Sequence, residues 1–202
     1  MITLLANGDY PTHTIPLNCL TPNHPVVCCD GAANRFMGEG GVPIAIVGDG
    51  DSLNDAVKAR FADCLHVVEE QEFNDLTKAV NYISGMGEKD ITIVGATGKR
   101  ECHTLGNISL LMEYHRRGLN VRMLTDYCEI RPMSGTQTFA VLPKQQISII
   151  NFGAKNFNSV GLCYPIYDFN AWWQGTLNEA VSTEVTIQAD GDYLVIIDYM
   201  EV

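Results

Sequence analysis

Residues 44–52 read IAIVGDGDS, an unbroken apolar run followed by alternating glycine and aspartate. A strand without a polar face is typical of a parallel sheet that is covered on both sides, as in α/β proteins. In such sheets ligands bind beyond the carboxyl ends of the strands. This stretch therefore predicts an α/β fold in which Asp49 and Asp51 lie at the ligand-binding edge of the sheet.

Short apolar runs alternate with amphipathic segments through the first two thirds of the chain. Apolar runs of strand length predict buried parallel strands, and apolar residues at spacings of three and four predict helices. Asn74 precedes one such helix, and asparagine is a favoured capping residue. The predicted strands are 2–5, 26–29, 44–47, 66–68, 91–94 and 121–124, and the predicted helices are 54–62, 74–84 and 103–117.

The pattern changes after Arg131, where four segments with strand character are separated by turn residues and no convincing helix intervenes. These strands are 138–142, 146–152, 184–189 and 193–199, while 156–159 is assigned to a turn. We therefore predict two domains. A Rossmann-like α/β domain with a mostly parallel sheet covers 1–131, and an all-β sandwich domain covers 132–202.

Composition excludes several classes of partner. Of the 202 residues, 46% are hydrophobic and 18% are charged, as in ordinary globular proteins. The net charge of −11 would repel a nucleic-acid backbone or an anionic membrane surface, so we expect neither as a partner. A phosphate ligand would need a metal ion or a local cationic side chain.

The chain also carries signs of its cellular context. The amino-terminal residues lack the basic segment and the apolar stretch of a secretory signal, and no apolar run approaches the roughly 18 residues of a membrane span. Seven cysteines without a CxxC pair fit a reducing compartment, where most would fill the core. We expect a cytoplasmic protein.

Asp49 and Asp51 are separated by one glycine, so in an extended loop both carboxylates lean to the same side. Two like charges held close repel unless a cation lies between them, and oxygen ligands with open positions suit Mg²⁺. The alternative is an ordinary turn in which the aspartates bond their own backbone. Because Asp30 and Asp75 arrive at the same edge of the sheet, a site for a metal and a phosphate is favoured.

Two basic residues are candidates for contacts with phosphate. Lys78 follows Asp75 by three residues on a predicted helix, where it is either a solvated partner of that carboxylate or a phosphate contact. Arg100 ends the loop 95–100, GATGKR, and a guanidinium can clamp a phosphate with two N–H groups. The loop lacks P-loop spacing and the chain lacks GxGxxG, which weakens a dinucleotide oxidoreductase function. His103 fits a helix start better than an acid–base catalyst.

Five motifs, in order and at similar spacing, resemble those of the thiamine pyrophosphokinase family. Each motif alone is weak, and together they span most of the chain. They are DGAANR at 30–35, VGDGDSL at 47–53, QEFNDLTKA at 71–79, GATGKRECHTLGN at 95–107 and GTLNE at 175–179.

The resemblance implies an α/β catalytic domain, a β-sandwich domain and a homodimer whose active sites lie between subunits. It implies transfer of a pyrophosphoryl group from Mg-ATP to the hydroxyl of thiamine, which gives AMP and thiamine diphosphate. Phosphoryl-type transfer mainly asks for in-line positioning and charge neutralisation, which carboxylates with magnesium and one arginine supply.

Carried over position by position, the resemblance assigns roles to named residues. Asp49, Asp51 and Asp75 would hold Mg²⁺. Asp51, Asp75 and Arg100 would act in catalysis. Asp30, Asn34, Gln71, Asn74 and Lys78 would bind the nucleotide and pyrophosphate together with Arg100, and Tyr164 and Asn178 would bind thiamine. Core packing is the alternative for Tyr164 and for Trp172 and Trp173.

Three positions depart from the family pattern. Cys102 stands where aspartate is usual, Leu177 where serine is common, and Asn74 where threonine or serine precedes the aspartate. The first two remove a charged acceptor and a hydroxyl, whereas Asn74 can still cap its helix. Two alternatives therefore stay open: a catalytically retired thiamine or nucleotide sensor of the same fold, and a pyrophosphokinase for another hydroxylated heterocycle.

Overall fold

The computed structural model describes residues 1–70 and 72–200, which form two compact units. The first unit contains Met1–Leu110 and Arg117–Asp126. The second contains Leu111–Arg116 and the chain from Tyr127 onward. The predicted boundary after residue 131 therefore lies five residues beyond the division seen in the structure, inside a strand of the second unit.

A six-stranded parallel sheet forms the centre of the first unit. Every strand pair in it is parallel, and the strand order is β6-β5-β1-β2-β3-β4. The strands are β1 (Ile2–Leu5), β2 (Val26–Cys29), β3 (Ala45–Gly48), β4 (Leu65–Val67), β5 (Asp90–Val94) and β6 (Asn120–Leu124). All residues of β1, β2 and β3 are buried, which is the reason that these strands are largely apolar in sequence.

Helices connect and cover these strands. They are α1 (Thr14–Asn18), α2 (Ala32–Gly38), α3 (Asp55–Arg60), α4 (Asp75–Gly85) and α5 (Glu101–Arg116), with a 3-10 helix at Ala62–Cys64. The side chain of Asn54 caps α3 and that of Asn74 caps α4, each by accepting a backbone N–H three residues later. The sequence did not predict α2, because its seven residues follow β2 directly and begin in the polar segment DGAAN.

The strand order creates a switch point between β1 and β5. The chain runs outward from β1 through β2 and β3 to β4, then returns to place β5 on the other side of β1. Loops that leave neighbouring strands in opposite directions open a crevice at their carboxyl ends, and α/β proteins bind ligands there. The residues after β1 and β5 therefore lie at the position that the topology favours for a site.

The second unit is built from antiparallel strands in two sheets. One sheet has the order β11-β9-β13-β7 and the other the order β10-β12-β8. The strands are β7 (Cys128–Ser134), β8 (Gln137–Ala140), β9 (Gln146–Asn151), β10 (Lys155–Val160), β11 (Asn178–Glu179), β12 (Glu184–Asp190) and β13 (Asp192–Asp198). Alternate residues of β9, β12 and β13 enter one core, which has the sandwich pattern of inward apolar and outward polar side chains.

The predicted fold class, a mostly parallel α/β unit followed by an all-β sandwich, is confirmed. Three strands of the sandwich were not predicted: β7, β10 and the two-residue strand β11. β10 contains residues 156–159, which the sequence assigned to a turn, because Asn156 has φ 57° at an irregularity of the strand pairing and most of the strand is exposed. β7 carries Pro132 and Arg131, which hide its strand pattern.

None of the helices formed by residues 1–70 and 72–200 has the length and apolar character required to cross a membrane.

Candidate functional site

A cavity of about 470 Å³ opens at the switch point of the parallel sheet. It is bordered by the loops after β1, β3 and β5, by the end of β2 and by the beginnings of α4 and α5. The residues that line it are 6–8, Cys29, Asp49, 73–76, Lys78, 96–97, 99–100, His103, Thr104 and Asn107. Acidic, basic and amide side chains thus converge on one hollow at the edge that the sequence predicted.

Asp75 lies at the first residue of α4, with its side chain about half exposed to the cavity. Burial raises the pKa of its carboxyl group, Lys78 lowers it, and the nearby carboxylates of Asp49 and Asp30 raise it further, so that the pKa lies above its ordinary value. The carboxylates of Asp49 and Asp30, which come from two other segments, are therefore close enough to repel that of Asp75.

Lys78 lies one turn further along α4, with its ammonium 3.6 Å from an Asp75 oxygen. Only 3% of its side chain is exposed. The alternative of a solvated surface partner is thus wrong, because the charge is buried against the wall of the cavity. A buried ammonium persists when a carboxylate balances it, and here that carboxylate is Asp75.

Asp30 is held in an unusual position directly after β2. It is 2% exposed and has φ 23°, which lies in the left-handed region that side chains rarely adopt. One carboxylate oxygen accepts the Ser52 N–H at 3.0 Å, while the other is buried without a hydrogen-bond partner among the described residues. Strained backbone and an unsatisfied buried oxygen typically mark a functional site.

Asp49 and Asp51 lie on the turn after β3 and differ in placement. Asp49 is half-buried, lines the cavity, and accepts the Asp51 N–H at 3.1 Å, so part of the turn alternative is realised. Asp51 is exposed and is not among the described residues that line the cavity. Asn34 braces the same turn, since its amide donates to Ser52 O at 2.7 Å and accepts the Asn54 N–H at 3.1 Å.

No three His, Cys, Asp or Glu side chains among residues 1–70 and 72–200 are close enough to hold a metal ion by themselves. Mg²⁺ commonly uses one or two carboxylates and fills its other positions with water and substrate phosphates. The repulsion between the Asp49 and Asp75 carboxylates and the unpartnered oxygen of Asp30 fit such an ion. The predicted set of Asp49, Asp51 and Asp75 stays a prediction.

Asn74 and Asn107 connect the beginnings of α4 and α5 across the cavity. Asn74 donates to Asn107 Oδ1 at 3.3 Å, and Asn107 donates to the Ala96 carbonyl at 2.8 Å. The Asn74 amide is thus engaged both as helix cap and as a link to the loop after β5. Arg100, which ends that loop, is exposed and lines the cavity, so its guanidinium can reach a ligand.

The loop after β1 was missed by sequence reasoning. Gly8 N–H donates to the Gly95 carbonyl at 2.7 Å, and the Lys99 ammonium donates to the Asn7 carbonyl at 2.9 Å and to Asn7 Oδ1 at 3.3 Å. A Cβ on Gly8 would lie 2.4 Å from Thr97 O, so the approach of the two loops requires glycine there. This loop could have been found only from the order of the strands, which places β1 beside β5 and which the sequence pattern does not contain.

Tyr164 and Asn178 lie together in the second unit. Asn178 is buried, accepts the Tyr164 N–H at 3.1 Å and the Glu179 N–H at 2.9 Å, and donates to Tyr164 O at 2.9 Å. Tyr164 itself is 62% exposed. Asn178 therefore fixes the backbone that presents the Tyr164 ring, and core packing, the alternative for this tyrosine, is wrong.

The remaining predicted positions are placed as follows. Trp172 and Trp173 are exposed rather than packed in the core, and Trp172 stacks on Phe152 with ring centroids 5.9 Å apart. Leu177 is 68% exposed with φ 62°. Cys102 is exposed in the first turn of α5. Gln71, a predicted nucleotide contact, lies outside the described residues.

The fold and the cavity define a two-unit protein, with a polar cavity at the carboxyl edge of a parallel α/β sheet and an antiparallel β sandwich after it. A family model described as the thiamin pyrophosphokinase catalytic domain matches residues 18–123, and a model described as the thiamin pyrophosphokinase substrate-binding domain matches residues 130–196. The chain belongs to the thiamin pyrophosphokinase family, so the resemblance seen in the sequence is confirmed.

Individual relatives agree with this assignment. The thiamine pyrophosphokinase of Bacillus subtilis (strain 168) is 26% identical over 209 residues, and the match covers 97% of this chain and 97% of that protein. Thiamine pyrophosphokinase 1 of Oryza sativa subsp. japonica is 33% identical over 129 residues, which are 52% of this chain and 48% of that protein. A crystal structure of the Bacillus subtilis enzyme shares the fold, with a TM-score of 0.80 at 22% identity over 100% of this chain and 99% of that chain.

Proposed function

We propose that the protein is a thiamine pyrophosphokinase, an ATP:thiamine diphosphotransferase that makes thiamine diphosphate and AMP. The observation that carries this proposal is the convergence of Asp49, Asp75, Lys78 and Arg100 on one cavity at the switch point of the sheet. The net charge of −11 would repel a triphosphate from most of the chain. At this cavity, cationic side chains and carboxylates that can hold a divalent ion would offset that repulsion. The family membership supports the same function.

We assign the nucleotide and the metal to the first unit. Asp49 and Asp75, with Asp51 from the turn after β3, would hold Mg²⁺ together with water and phosphate oxygens. The ion would neutralise charge on the transferred pyrophosphoryl group. Asp30, Asn34, Gln71 and Asn74 would complete the nucleotide site, either by contact or by bracing its loops.

In the proposed reaction the hydroxyl oxygen of thiamine bonds to the β-phosphorus of ATP. The bond from this phosphorus to the oxygen that bridges it to the α-phosphorus breaks, AMP leaves with that oxygen, and the hydroxyl proton passes to solvent. Arg100 and Lys78 would stabilise charge on the phosphate oxygens, since guanidinium and ammonium groups donate strong hydrogen bonds to anions. No covalent intermediate on the protein is needed.

We assign thiamine binding and dimer contacts to the second unit. The exposed ring of Tyr164 suits stacking on the cationic thiazolium of thiamine, and Asn178 would act by fixing the backbone of Tyr164. We further propose a homodimer with active sites between subunits, which works in the reducing cytoplasm. The seven cysteines as free thiols are consistent with that compartment.

The test is product formation followed by chromatography of AMP and thiamine diphosphate. We expect both products in equal amounts when ATP, Mg²⁺ and thiamine are all present, and neither product when any one of them is omitted. Tight thiamine binding without turnover would instead identify the retired sensor. A higher kcat/KM for another hydroxylated heterocycle would identify a different acceptor. Neither alternative is favoured by the family model or by the Bacillus subtilis relative.

A further inference from the structure

We infer that Lys99 is a polyphosphate-binding residue whose ammonium is held in place by Asn7 before the ligand arrives. The inference rests on the proposed function and adds a residue to its site. It concerns the triphosphate of the nucleotide, or any inorganic polyphosphate of similar length, rather than the acceptor.

The two lysines that line the cavity differ in their charge partners. Lys78, the buried cation of the wall, is already paired with Asp75. The Lys99 ammonium is bonded only to neutral oxygens of Asn7, and among the described residues no carboxylate forms an ion pair with it. Its positive charge is therefore available to an anion, and one of its three N–H donors is still unused.

Lys99 and Asn7 both lie at the switch point of the sheet. Lys99 follows β5 and Asn7 follows β1, the two strands that flank the switch point, and both residues line the cavity. Arg100 is adjacent in sequence and also lines it. Lysine and arginine side chains at neighbouring positions can contact different oxygens of one polyphosphate.

Hydrogen bonds fix the two loops that carry Asn7 and Lys99 against each other. Backbone hydrogen bonds from Gly8 to Gly95 and from Asp9 to Thr97, at 2.7 and 2.8 Å, join the two loops. The Asn7 oxygens then hold the ammonium at the end of a long, flexible side chain. Ordering a lysine side chain costs free energy during binding, and a side chain that is already ordered avoids part of that cost.

The experiment measures binding of magnesium tripolyphosphate by isothermal titration calorimetry, without adenine or thiamine. We expect Lys99→Met to weaken binding by about tenfold or more, the effect of losing a hydrogen bond between charged groups, and Lys99→Arg to restore most of the affinity. Lys89→Met is the matched control. It removes the same charge just before β5, at the opposite edge of the sheet, and should bind like the parent protein.

The salt dependence separates a direct contact from a merely structural link. Screening weakens charge–charge attraction, so the affinity of Lys99→Met should fall less steeply with added salt than that of the parent protein. Asn7→Ala should weaken binding about two- to fivefold, and should have no effect in the Lys99→Met background, because the two residues act as a unit.

The inference is overturned if Lys99→Met binds tripolyphosphate within twofold of the parent protein, or with the same salt dependence. Failure of the proposed function gives a different result. In that case the parent protein forms no thiamine diphosphate, while its binding of tripolyphosphate still depends on Lys99.

Discussion

The Lys78 ammonium lies 3.6 Å from the Asp75 carboxylate, and the two side chains differ in exposure, at 3% and 47%. A buried positive charge therefore lies behind a carboxylate that faces the cavity. Lys78 balances the charge of Asp75 from behind, while Asp75 stays accessible to a ligand.

Asp75→Ala and Asp51→Ala should each reduce turnover below one per cent of the parent value. Both carboxylates are assigned to the metal, and Asp51 is an exposed turn residue whose side chain supports no other contact among the described residues. Asp51→Ala should therefore leave the melting temperature unchanged within about 2 °C, as is usual for surface positions. Steady-state kinetics at saturating Mg²⁺ and thermal unfolding provide the two readouts. A near-normal kcat in either variant would contradict the metal assignment.

Lys78→Met should preserve the fold and lower turnover by at least tenfold. Methionine fills a similar buried volume without a charge. The carboxylate that loses its partner is 47% exposed, so water can solvate it and no buried charge is left uncompensated. Asp75 would lose the cation that opposes its repulsion by Asp49 and Asp30. Circular dichroism checks the fold and AMP release measures turnover. Lys58→Met on α3 is the control, and equal turnover in both variants would show that Lys78 has no role in the site.

Gly48→Ala should destabilise the protein by about 1–3 kcal/mol, the usual cost of overpacking. A Cβ at Gly48 would lie 2.6 Å from Asp30 Cβ, so the new methyl group would displace an aspartate that is already strained. Turnover should fall with stability. Gly106→Ala on α5 is the matched control, because a Cβ at Gly106 would meet no atom within 4 Å. This change should raise the free energy of unfolding by about 0.5–1 kcal/mol, since alanine favours a helix over glycine. Urea denaturation measures the free energy of unfolding of both variants. If both variants were stabilised or both destabilised, the close contact between Gly48 and Asp30 would not explain the result.

The sequence was sufficient for the elements whose burial is uniform. β1 and β2 have the predicted bounds because all of their side chains are buried, which gives short, largely apolar runs of strand length. The start of α4 was also readable, since the Asn74 side chain accepts the Thr77 N–H as a cap should. From these elements alone the acidic edge of the sheet could be located.

The sequence was insufficient where long-range order decides the outcome. Asn7 and Lys99 meet because β1 pairs with β5, a contact between segments about 90 residues apart that no local pattern encodes. β10 was taken for a turn because asparagine has a strong turn propensity, yet pairing with β12 overrides that preference. The burial of Lys78 likewise depends on the packing of α4 against the sheet rather than on its spacing from Asp75.

Asp126→Asn should destabilise the protein at neutral pH by about 1–2 kcal/mol. Burial alone would raise the pKa of Asp126, but hydrogen bonds from the His13 N–H and from the side chain and N–H of Thr12 outweigh it and lower the pKa below its usual value. A carboxyl group with a lowered pKa stabilises the fold above its unfolded pKa, and this contribution is lost as the pH falls through the folded value.

The difference in stability between the parent protein and Asp126→Asn should therefore be constant from about pH 5 to 7 and shrink below the ordinary pKa of aspartate near 4. Urea denaturation at each pH measures it. Asp63→Asn, on the short 3-10 helix at Ala62–Cys64, serves as a control. A difference that grows towards acidic pH would contradict the role of the ionised carboxylate.

Asn178→Ala and Tyr164→Ala should both raise the KM for thiamine at least fivefold and leave the KM for ATP unchanged. Truncation of Asn178 removes three hydrogen bonds at a buried position, so this variant should also lose about 1–3 kcal/mol of stability. Tyr164 is exposed, and its truncation should cost little stability.

Tyr164→Phe retains the ring and is the matched control, with a KM for thiamine close to the parent value if stacking is the interaction. Initial rates at varied thiamine and fixed saturating ATP give the comparison. An unchanged KM for thiamine in Tyr164→Ala would place the acceptor elsewhere, and a raised KM in Tyr164→Phe would assign recognition to the hydroxyl group instead of the ring.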